Sequence, residues 1–461
     1  MKNRIKLIKY AYLTLFMLVC LYLLYFNIFE SRAISSNSYN RRLRETSTNV
    51  IRGSIQDRNG EVLVKSTKYK SGVKRKYVYG RYFSHIIGYS SKNLGSSGLE
   101  AFYNKELMNS SDTMETLRSK INDYSINGNN IKLTLDRSLQ TYASDQLRGK
   151  RGAIVVLRPD TGEILAMASK PDFNPSNVQN DWESLIDDKS SPLLNRAVEG
   201  LYPPGSIFKL VVSSSILKNN LASSEIDCTG SVNIGGYVIK DFNSEVHGQI
   251  SLHDAFAESC NSYFIKQGLA LGNDNLYNES TKFRFNKSIP FDLKVSQSVF
   301  PNNTDKKSIA QQSIGQGEVL MTPLHAALMV SAIANKGIMM QPYAVSSIID
   351  SSGKIVKEYK PKQLAQVMDE STALEIKDMM IDVVKSGTGT KAKTSKTEIA
   401  GKTGTAEVGN GEKSHAWFVG FAPADNPKVA VAVIIEHGGS GGSTAAPIAS
   451  RVLRKAVSII E

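Results

Sequence analysis

The segment LYPPGSIFKLVVSSSI, residues 201–216, sets one serine and one lysine three positions apart at the edge of an otherwise apolar run. Pro203, Pro204 and Gly205 disfavour helix ahead of Ser206, which places Ser206 at or near a helix start. There its hydroxyl meets unpaired backbone N–H groups and the positive end of the helix dipole. Lys209 follows one turn later on the same face. Its neighbours Ile207, Phe208, Leu210 and Val211 disfavour an ammonium, so the lysine pKa is expected to fall. A neutral amine can take the proton of a serine hydroxyl, making the pair a nucleophile with its base. Taken alone, S-x-x-K is equally a capping serine followed by a lysine stretching to water.

Two further patterns remove that ambiguity. Residues 251–270, SLHDAFAESCNSYFIKQGLA, contain Ser259-Cys260-Asn261, an S-x-N that would otherwise be a polar break between helices. Residues 399–421, IAGKTGTAEVGNGEKSHAWFVGF, contain Lys402-Thr403-Gly404-Thr405, a K-T-G entering a strand. The order S-x-x-K, S-x-N, K-T-G is described for serine-type penicillin-binding proteins and β-lactamases. From Arg52 onward the chain resembles a class B penicillin-binding protein, a monofunctional peptidoglycan D,D-transpeptidase. The resemblance extends to RGSIQDRNGEVL (residues 52–63), GAIVVLRPDTGEILAMASKPDFNP (152–175) and GQGEVLMTPLHAA (315–327).

That resemblance implies a role for each motif residue. Ser206 is the nucleophile, Lys209 its base, and Ser259 the hydroxyl that relays a proton to the leaving amine. Asn261 holds the substrate amide, and Lys402 and Thr403 attract the substrate carboxylate. Gly404 leaves room for substrate along the strand, and the Thr405 N–H joins that of Ser206 in an oxyanion hole. Lys402 is expected to help keep Lys209 neutral. Cys260 is expected to be a small residue facing the helices. The implied activity is cross-linking of stem peptides through a serine acyl-enzyme, which β-lactams would also form. Two alternatives stay open: a D,D-carboxypeptidase or β-lactamase-like hydrolase, and a catalytically silent scaffold of a cell-wall synthesis complex. The implied partners are stem peptides, β-lactams as covalent inhibitors, the membrane and a membrane-embedded glycan polymerase, without nucleic acid.

The elements that must position these residues are legible as patterns. Residues 154–157 and 164–168 are apolar runs around a Pro159–Gly162 turn, hence a hairpin. Near the end, AWFVGFAPADNPKVAVAVIIEHGG reads as two strands around residues 424–427, and STAAPIASRVLRKAVSII as a helix capped by Thr444 with Pro447 in its first turn. Helical stretches, such as 324–334 and 371–385, lie between. One sheet assembled from both ends with helices packed on it is the expected architecture: α+β, a central antiparallel sheet of the penicillin-binding transpeptidase type. Residues 149–461 are assigned to this domain. Residues 30–148 are assigned to a linker and a small α+β module of pedestal or dimerisation type, with a hairpin around Asp57-Arg58-Asn59-Gly60.

Composition is consistent with this. The 461 residues are 41% hydrophobic and 21% charged, enough for a sizeable core, and the net charge of +13 suits an anionic polymer or membrane surface. Residues 8–29, IKYAYLTLFMLVCLYLLYFNIF, are long enough to cross a bilayer. Lys2, Arg4, Lys6 and Lys9 precede or open that span, so residues 1–29 are read as a cytoplasmic tip and transmembrane helix, with the rest extracytoplasmic. Of the three cysteines, Cys228 and Cys260 fall outside the span; a disulfide between them is an option, but two cysteines do not make a framework. No residues have metal-ligand spacing, since His247 and His253 are six apart, and neither metal nor cofactor is expected.

Overall fold

The computed structural model describes residues 2–26, 50–69, 72–108, 126–223, 225–409 and 411–460. The beginning of the linker assigned within residues 30–148, up to residue 49, lies outside these, as do residues 27–29 of the apolar span. The first helix, Lys2–Tyr25, is apolar enough to cross a membrane from Arg4 to Tyr25. Those 22 residues span about 33 Å, matching a bilayer core, and this one helix fits a single-pass membrane protein.

Both ends of the large domain meet in one five-stranded antiparallel sheet. Its order is Ile164–Lys170, Gly152–Leu157, Val429–Ile435, His415–Ala422 and Ala400–Ala406. Alternation along each strand sends side chains to two separate cores. Ala153, Val155, Trp417, Val419, Ala432 and Ile434 join the core that contains helix Pro323–Ala334. Ile154, Val156, Phe418, Val431 and Val433 join the core under helices Arg137–Gln146 and Gly441–Ile460. Covering both faces explains the unbroken apolar runs, and each fully buried branched side chain contributes about 1.5–3 kcal/mol.

A second, six-stranded sheet has the order Ile355–Glu358, Val345–Ile349, Asn130–Leu133, Ile55–Gln56, Val62–Tyr69 and Gly72–Tyr77. Its hairpin turns where expected: the Asp57 carboxylate accepts the Asn59 and Glu61 N–H groups, and Gly60 takes φ +87°. Two of its strands come from far along the chain, so the smaller module and the large domain share a sheet. Beside it, the Glu100 carboxylate is fully buried between Arg52 (2.5 Å) and Arg75 (2.8 Å).

The C-terminal helix begins earlier than its sequence suggests. It starts at Gly441, so Thr444 is not its cap and Pro447 falls inside it. The cause is packing: a Cβ on Gly441 would lie 2.3 Å from the carbonyl oxygens of Gly404 and Trp417, so glycines let this helix begin against the sheet edge.

Candidate active site

Ser206 sits in the 3-10 turn Gly205–Phe208, which runs directly into helix Lys209–Lys218. Gly205 takes φ +55° and donates its N–H to the Gly315 carbonyl at 2.8 Å. A Cβ on Gly315 would stand 2.2 Å from the Gly205 oxygen, so the two glycines require each other. The Trp417 indole N–H, donated to the Pro203 carbonyl at 3.0 Å, ties this turn to the central sheet.

Lys209 is completely buried. Its Nζ donates to the Ser259 carbonyl at 2.6 Å, to Asn261 Oδ1 at 2.9 Å and to Ser259 Oγ at 3.3 Å. Thus S-x-x-K and S-x-N, fifty residues apart in sequence, are joined through one amine. Ser259 lies in the break between helices Leu252–Ala257 and Asn261–Lys282, with φ +61°, an uncommon conformation for a residue with a side chain. Asn261 Nδ2 donates to the Lys240 carbonyl at 3.0 Å. Asp241 sits at the start of the Asn261–Lys282 helix, accepting the N–H groups of Asn261 and Ser262 and the Ser262 hydroxyl. Burial pushes its carboxyl up, but those hydrogen bonds outweigh burial and hold it below the usual range.

Burial lowers the Lys209 pKa to about 8, with Cys260 and Asp241 opposing. Lys402 is also completely buried, 5.3 Å from the Phe256 ring centre, and is pushed well below the ordinary lysine value, by burial first and by repulsion from Lys209 second. Among the described residues no carboxylate forms an ion pair with either lysine. The repulsion is mutual, so each lysine disfavours the charged form of the other.

The third motif lies on Ala400–Ala406, the edge strand, which among the described residues pairs only with His415–Ala422. Thr403 Oγ1 and Thr388 Oγ1 are 2.7 Å apart, and Thr405 Oγ1 accepts the Gly441 N–H at 3.2 Å. Gly404 requires a different explanation from the one its motif suggested. A Cβ there would point inward, 3.0 Å from Ile207 Cγ2 and the Pro204 oxygen and 3.1 Å from Trp417 Cβ. Its missing side chain lets the strand seat against the turn bearing Ser206, and does not clear room in the cleft.

An open cleft of about 870 Å³ is lined by Ser206, Ser259, Asn261, Thr403 and Thr405, with the two lysines beneath its floor. Thr388, Glu258 and Gln316 also line it. So does a small β insert around the hairpin Ser231–Ile234 and Tyr237–Lys240, which exposes Tyr237, Val238 and Phe242. Sequence reasoning passed over these. The hydroxyl-rich run SGTGT at 386–390, directly after a helix, was the available signal for Thr388. The expectation that no residues are arranged for a metal also requires correction. Folding brings Cys228, Asp241, His247 and Cys260 to one point behind the cleft wall, although nothing in their spacing announces it.

Comparison with known proteins agrees with this geometry. The family described as penicillin binding protein transpeptidase domain matches residues 152–454, and the penicillin binding protein A dimerisation domain matches residues 52–131. The peptidoglycan D,D-transpeptidase PbpA of Mycolicibacterium smegmatis is 33% identical, covering 83% of this chain and 84% of its own length. MrdA of Acinetobacter baumannii, named likewise, is 31% identical, covering 90% and 71%. Among solved structures, the ceftriaxone acyl-enzyme complex of penicillin-binding protein A from M. tuberculosis superposes with a TM-score of 0.85 at 30% identity, covering 90% of this chain and 100% of that one. A D,D-transpeptidase domain from Eggerthella lenta gives 0.81 at 34% identity, covering 89% and 99%.

Proposed function

Because the chain belongs to the penicillin-binding protein transpeptidases, its activity is D,D-transpeptidation of peptidoglycan stem peptides, and we propose that it proceeds through a serine acyl-enzyme on Ser206. The observation that carries this is the convergence of three motifs on one cleft over two buried lysines that form no ion pair with a carboxylate among the described residues. A neutral Lys209 amine donates its two hydrogens to the Ser259 carbonyl and Asn261 Oδ1, and its lone pair remains to accept a proton. Ser206 Oγ gives up its proton to Lys209 and attacks the carbonyl of the D-Ala–D-Ala bond. Negative charge on the resulting oxyanion is met by the N–H groups of Ser206 and Thr405. The proton passes from Lys209 through Ser259 to the leaving amine, D-alanine departs, and an ester on Ser206 remains. An amine of a second stem peptide then attacks that ester, giving its proton back to Ser206 by the same route. Lys402, Thr403 and Asn261 orient the donor strand. A β-lactam follows the first half of this path and stops at the ester.

For the rest of the chain the same reading places Lys2, Arg4, Lys6 and Lys9 in the cytoplasm and the catalytic domain outside. Residues 30–148 act as linker and pedestal for residues 149–461, and the span packs beside a membrane-embedded glycan polymerase. The test of the chemistry is turnover of a thioester stem-peptide analogue by the full chain in detergent, with and without a D-amino acid. Product carrying the added amine, and a penicillin adduct mapped to the Ser206 peptide, are expected. Rapid hydrolysis unaffected by amine, or an adduct on another residue, would overturn the assignment.

A further inference from the structure

Part of the net charge of +13 is gathered at one place outside the catalytic cleft. A cavity of about 440 Å³ opens between residues 391–396 and the C-terminal helix Gly441–Ile460. Lys391, Lys393 and Lys396 line it from the loop, Arg451 and Arg454 from the helix. Pro447, Ser450, Arg451 and Arg454 follow the i, i+3, i+4, i+7 spacing, so a single helix face makes that wall. Among the described residues no carboxylate lines the cavity, and none of these five cations forms an ion pair. The frame around them is fixed. Ala392 and Ile399, towards the two ends of the loop, are buried in the core beneath the C-terminal helix. Between them the Thr394 hydroxyl accepts the N–H groups of Lys396 at 3.2 Å and Thr397 at 3.1 Å and donates to the Thr397 carbonyl at 3.0 Å. Arg451 Nε donates to Gln146 Oε1 at 2.6 Å, which orients its guanidinium. We propose that this cavity binds a phosphodiester-linked anionic polymer, seating successive phosphates between the lysine loop and the arginine face of the helix.

The chemistry of the lining selects this ligand. Guanidinium presents a planar fork that matches phosphate oxygens, and lysines add point charges. Ser395 and Ser450 supply neutral hydroxyl donors to the same lining. A single phosphate monoester carries about two negative charges at neutral pH, too few to answer five positive ones. The volume falls within the roughly 300–1,000 Å³ of sites for whole small molecules, so there is room for more than one phosphate. Glu398, which follows the loop, is not part of the lining and does not neutralise it. A membrane surface is the other partner that a basic protein suits, but a flat bilayer cannot enter a concavity between a loop and a helix. The cavity also has a place relative to the chemistry. Lys391 lines both it and the catalytic cleft, so a polymer seated here passes beside the groove where stem peptides meet. Contacts to exposed cations are screened by salt and exchange readily, which suits an enzyme that must hold its matrix and still move along it.

The test uses the full chain in detergent and a fluorescently labelled poly(glycerol phosphate) oligomer, followed by anisotropy. Binding should saturate and weaken as salt is raised. Lys396→Gln combined with Arg454→Gln should weaken it roughly tenfold at unchanged unfolding temperature, since both residues are exposed. Removing two exposed lysines of the smaller module, Lys74→Gln with Lys76→Gln, should change it by about twofold at most. Equal losses from the two pairs would reduce the effect to net charge and overturn the proposal, as would absence of saturable binding. Poly-glutamate binding as tightly as the phosphate polymer would overturn the choice of ligand. So would inorganic phosphate competing equally at the same concentration of phosphate groups, which would leave a site for one small anion. Bound polymer should also shield Lys391, Lys393 and Lys396 from acetylation in a mass-spectrometric footprint of the wild-type chain. The same shielding in phosphatidylglycerol nanodiscs without polymer would give the cavity to the membrane and refute the assignment. Penicillin acylation of the Lys396→Gln, Arg454→Gln variant should match wild type without polymer; slower acylation would make these cations part of the cleft instead. Ser206→Ala should bind the polymer normally, which separates failure of this site from failure of the catalytic assignment.

Discussion

Two regions of this molecule draw cations out of solvent in opposite ways. Beside the smaller sheet, Arg52 and Arg75 close on Glu100, and the carboxylate takes a guanidinium on each oxygen. Under the cleft, Lys209 and Lys402 stand near each other with backbone carbonyls and amide oxygen as acceptors and no carboxylate ion pair. Guanidinium keeps its proton under almost any conditions, so a buried arginine must be paired. An amine can shed its proton, so a buried lysine can stay unpaired by becoming neutral, and a neutral amine is a base. The first arrangement is structural and the second is chemical. The difference lies in residue type and partner, more than in burial, which is complete for the lysines and nearly so for Arg52.

The largest effect that would break this comparison is at Lys209. Lys209→Ala should slow acylation by roughly 10²–10⁴-fold, the range for loss of a positioned general base. Lys209→Arg should be nearly as damaging, because guanidinium cannot accept the proton. Acylation kinetics with a chromogenic β-lactam read both, and substantial rescue by arginine would make the role electrostatic. The wild-type rate should also rise with pH through about 8, where the Lys209 amine becomes neutral. The sign for stability follows. The folded pKa lies below the unfolded value, so the unfolded chain binds more protons between them. The cost of burying this lysine is then full below pH 8 and is relieved as pH rises toward 10.5.

Glu100→Gln attacks the other region. Two buried guanidinium groups would lose their counter-charge, a loss of about 3–5 kcal/mol. Thermal unfolding should fall accordingly, while acylation measured well below the transition stays near wild type. Equal loss of acylation in the folded variant would mean that the pair is not merely structural. Burial raises the Glu100 carboxyl, but Arg75 and Arg52 more than reverse this and leave it below its ordinary value. Its contribution is therefore present above the unfolded carboxyl pKa and is lost as pH falls through the lower folded one.

Gly404→Ala gives a smaller effect. The new methyl would meet Ile207, the Pro204 oxygen and Trp417 at 3.0–3.1 Å, and overpacking of this kind costs about 1–3 kcal/mol. Because that contact seats the turn carrying Ser206, acylation should fall together with the unfolding temperature. A drop in substrate binding alone, at unchanged stability, would return Gly404 to the role its motif suggested.

Legibility in the sequence followed the reach of the signal. The central sheet and the helical stretches 324–334 and 371–385 were visible because apolar runs and turns are local, while the caps on those helices, Thr322 and Asp369, went unread. The chemistry was visible because three short motifs stood in a fixed order. What stayed hidden depends on contacts between distant segments. Strands Val345–Ile349 and Ile355–Glu358 complete a sheet begun some three hundred residues earlier, and no local pattern specifies that partner. Glu100 gives no sign in sequence that Arg52 and Arg75 will enclose it. Cys228, Asp241, His247 and Cys260 come together from a strand end, two loop positions and a helix cap, at spacings that no local pattern announces.

The smallest expected effect concerns the hydroxyl pair at the cleft's edge. Thr388 and Thr403 share one hydrogen bond of 2.7 Å, and Thr388 reaches that position because its loop is held to the Ala257 carbonyl through its own N–H at 3.2 Å. Thr403 is thereby fixed at the edge strand, where the substrate carboxylate is expected. Thr388→Val keeps the shape and removes the hydroxyl, so the loss should be that of one ordinary hydrogen bond, about 0.5–1.5 kcal/mol, or roughly 2–12-fold in rate. The two regions predict different signatures for a loss of this size. If Thr388 belongs with the chemical region, the loss appears as weaker apparent binding of carboxylate-bearing β-lactams, at unchanged unfolding temperature. If it belongs with the structural one, the unfolding temperature falls and binding does not. Repeating the measurement with a β-lactam whose carboxylate is esterified completes the test: Thr388→Val should cost nothing there, because the group that Thr403 is set to meet has been removed.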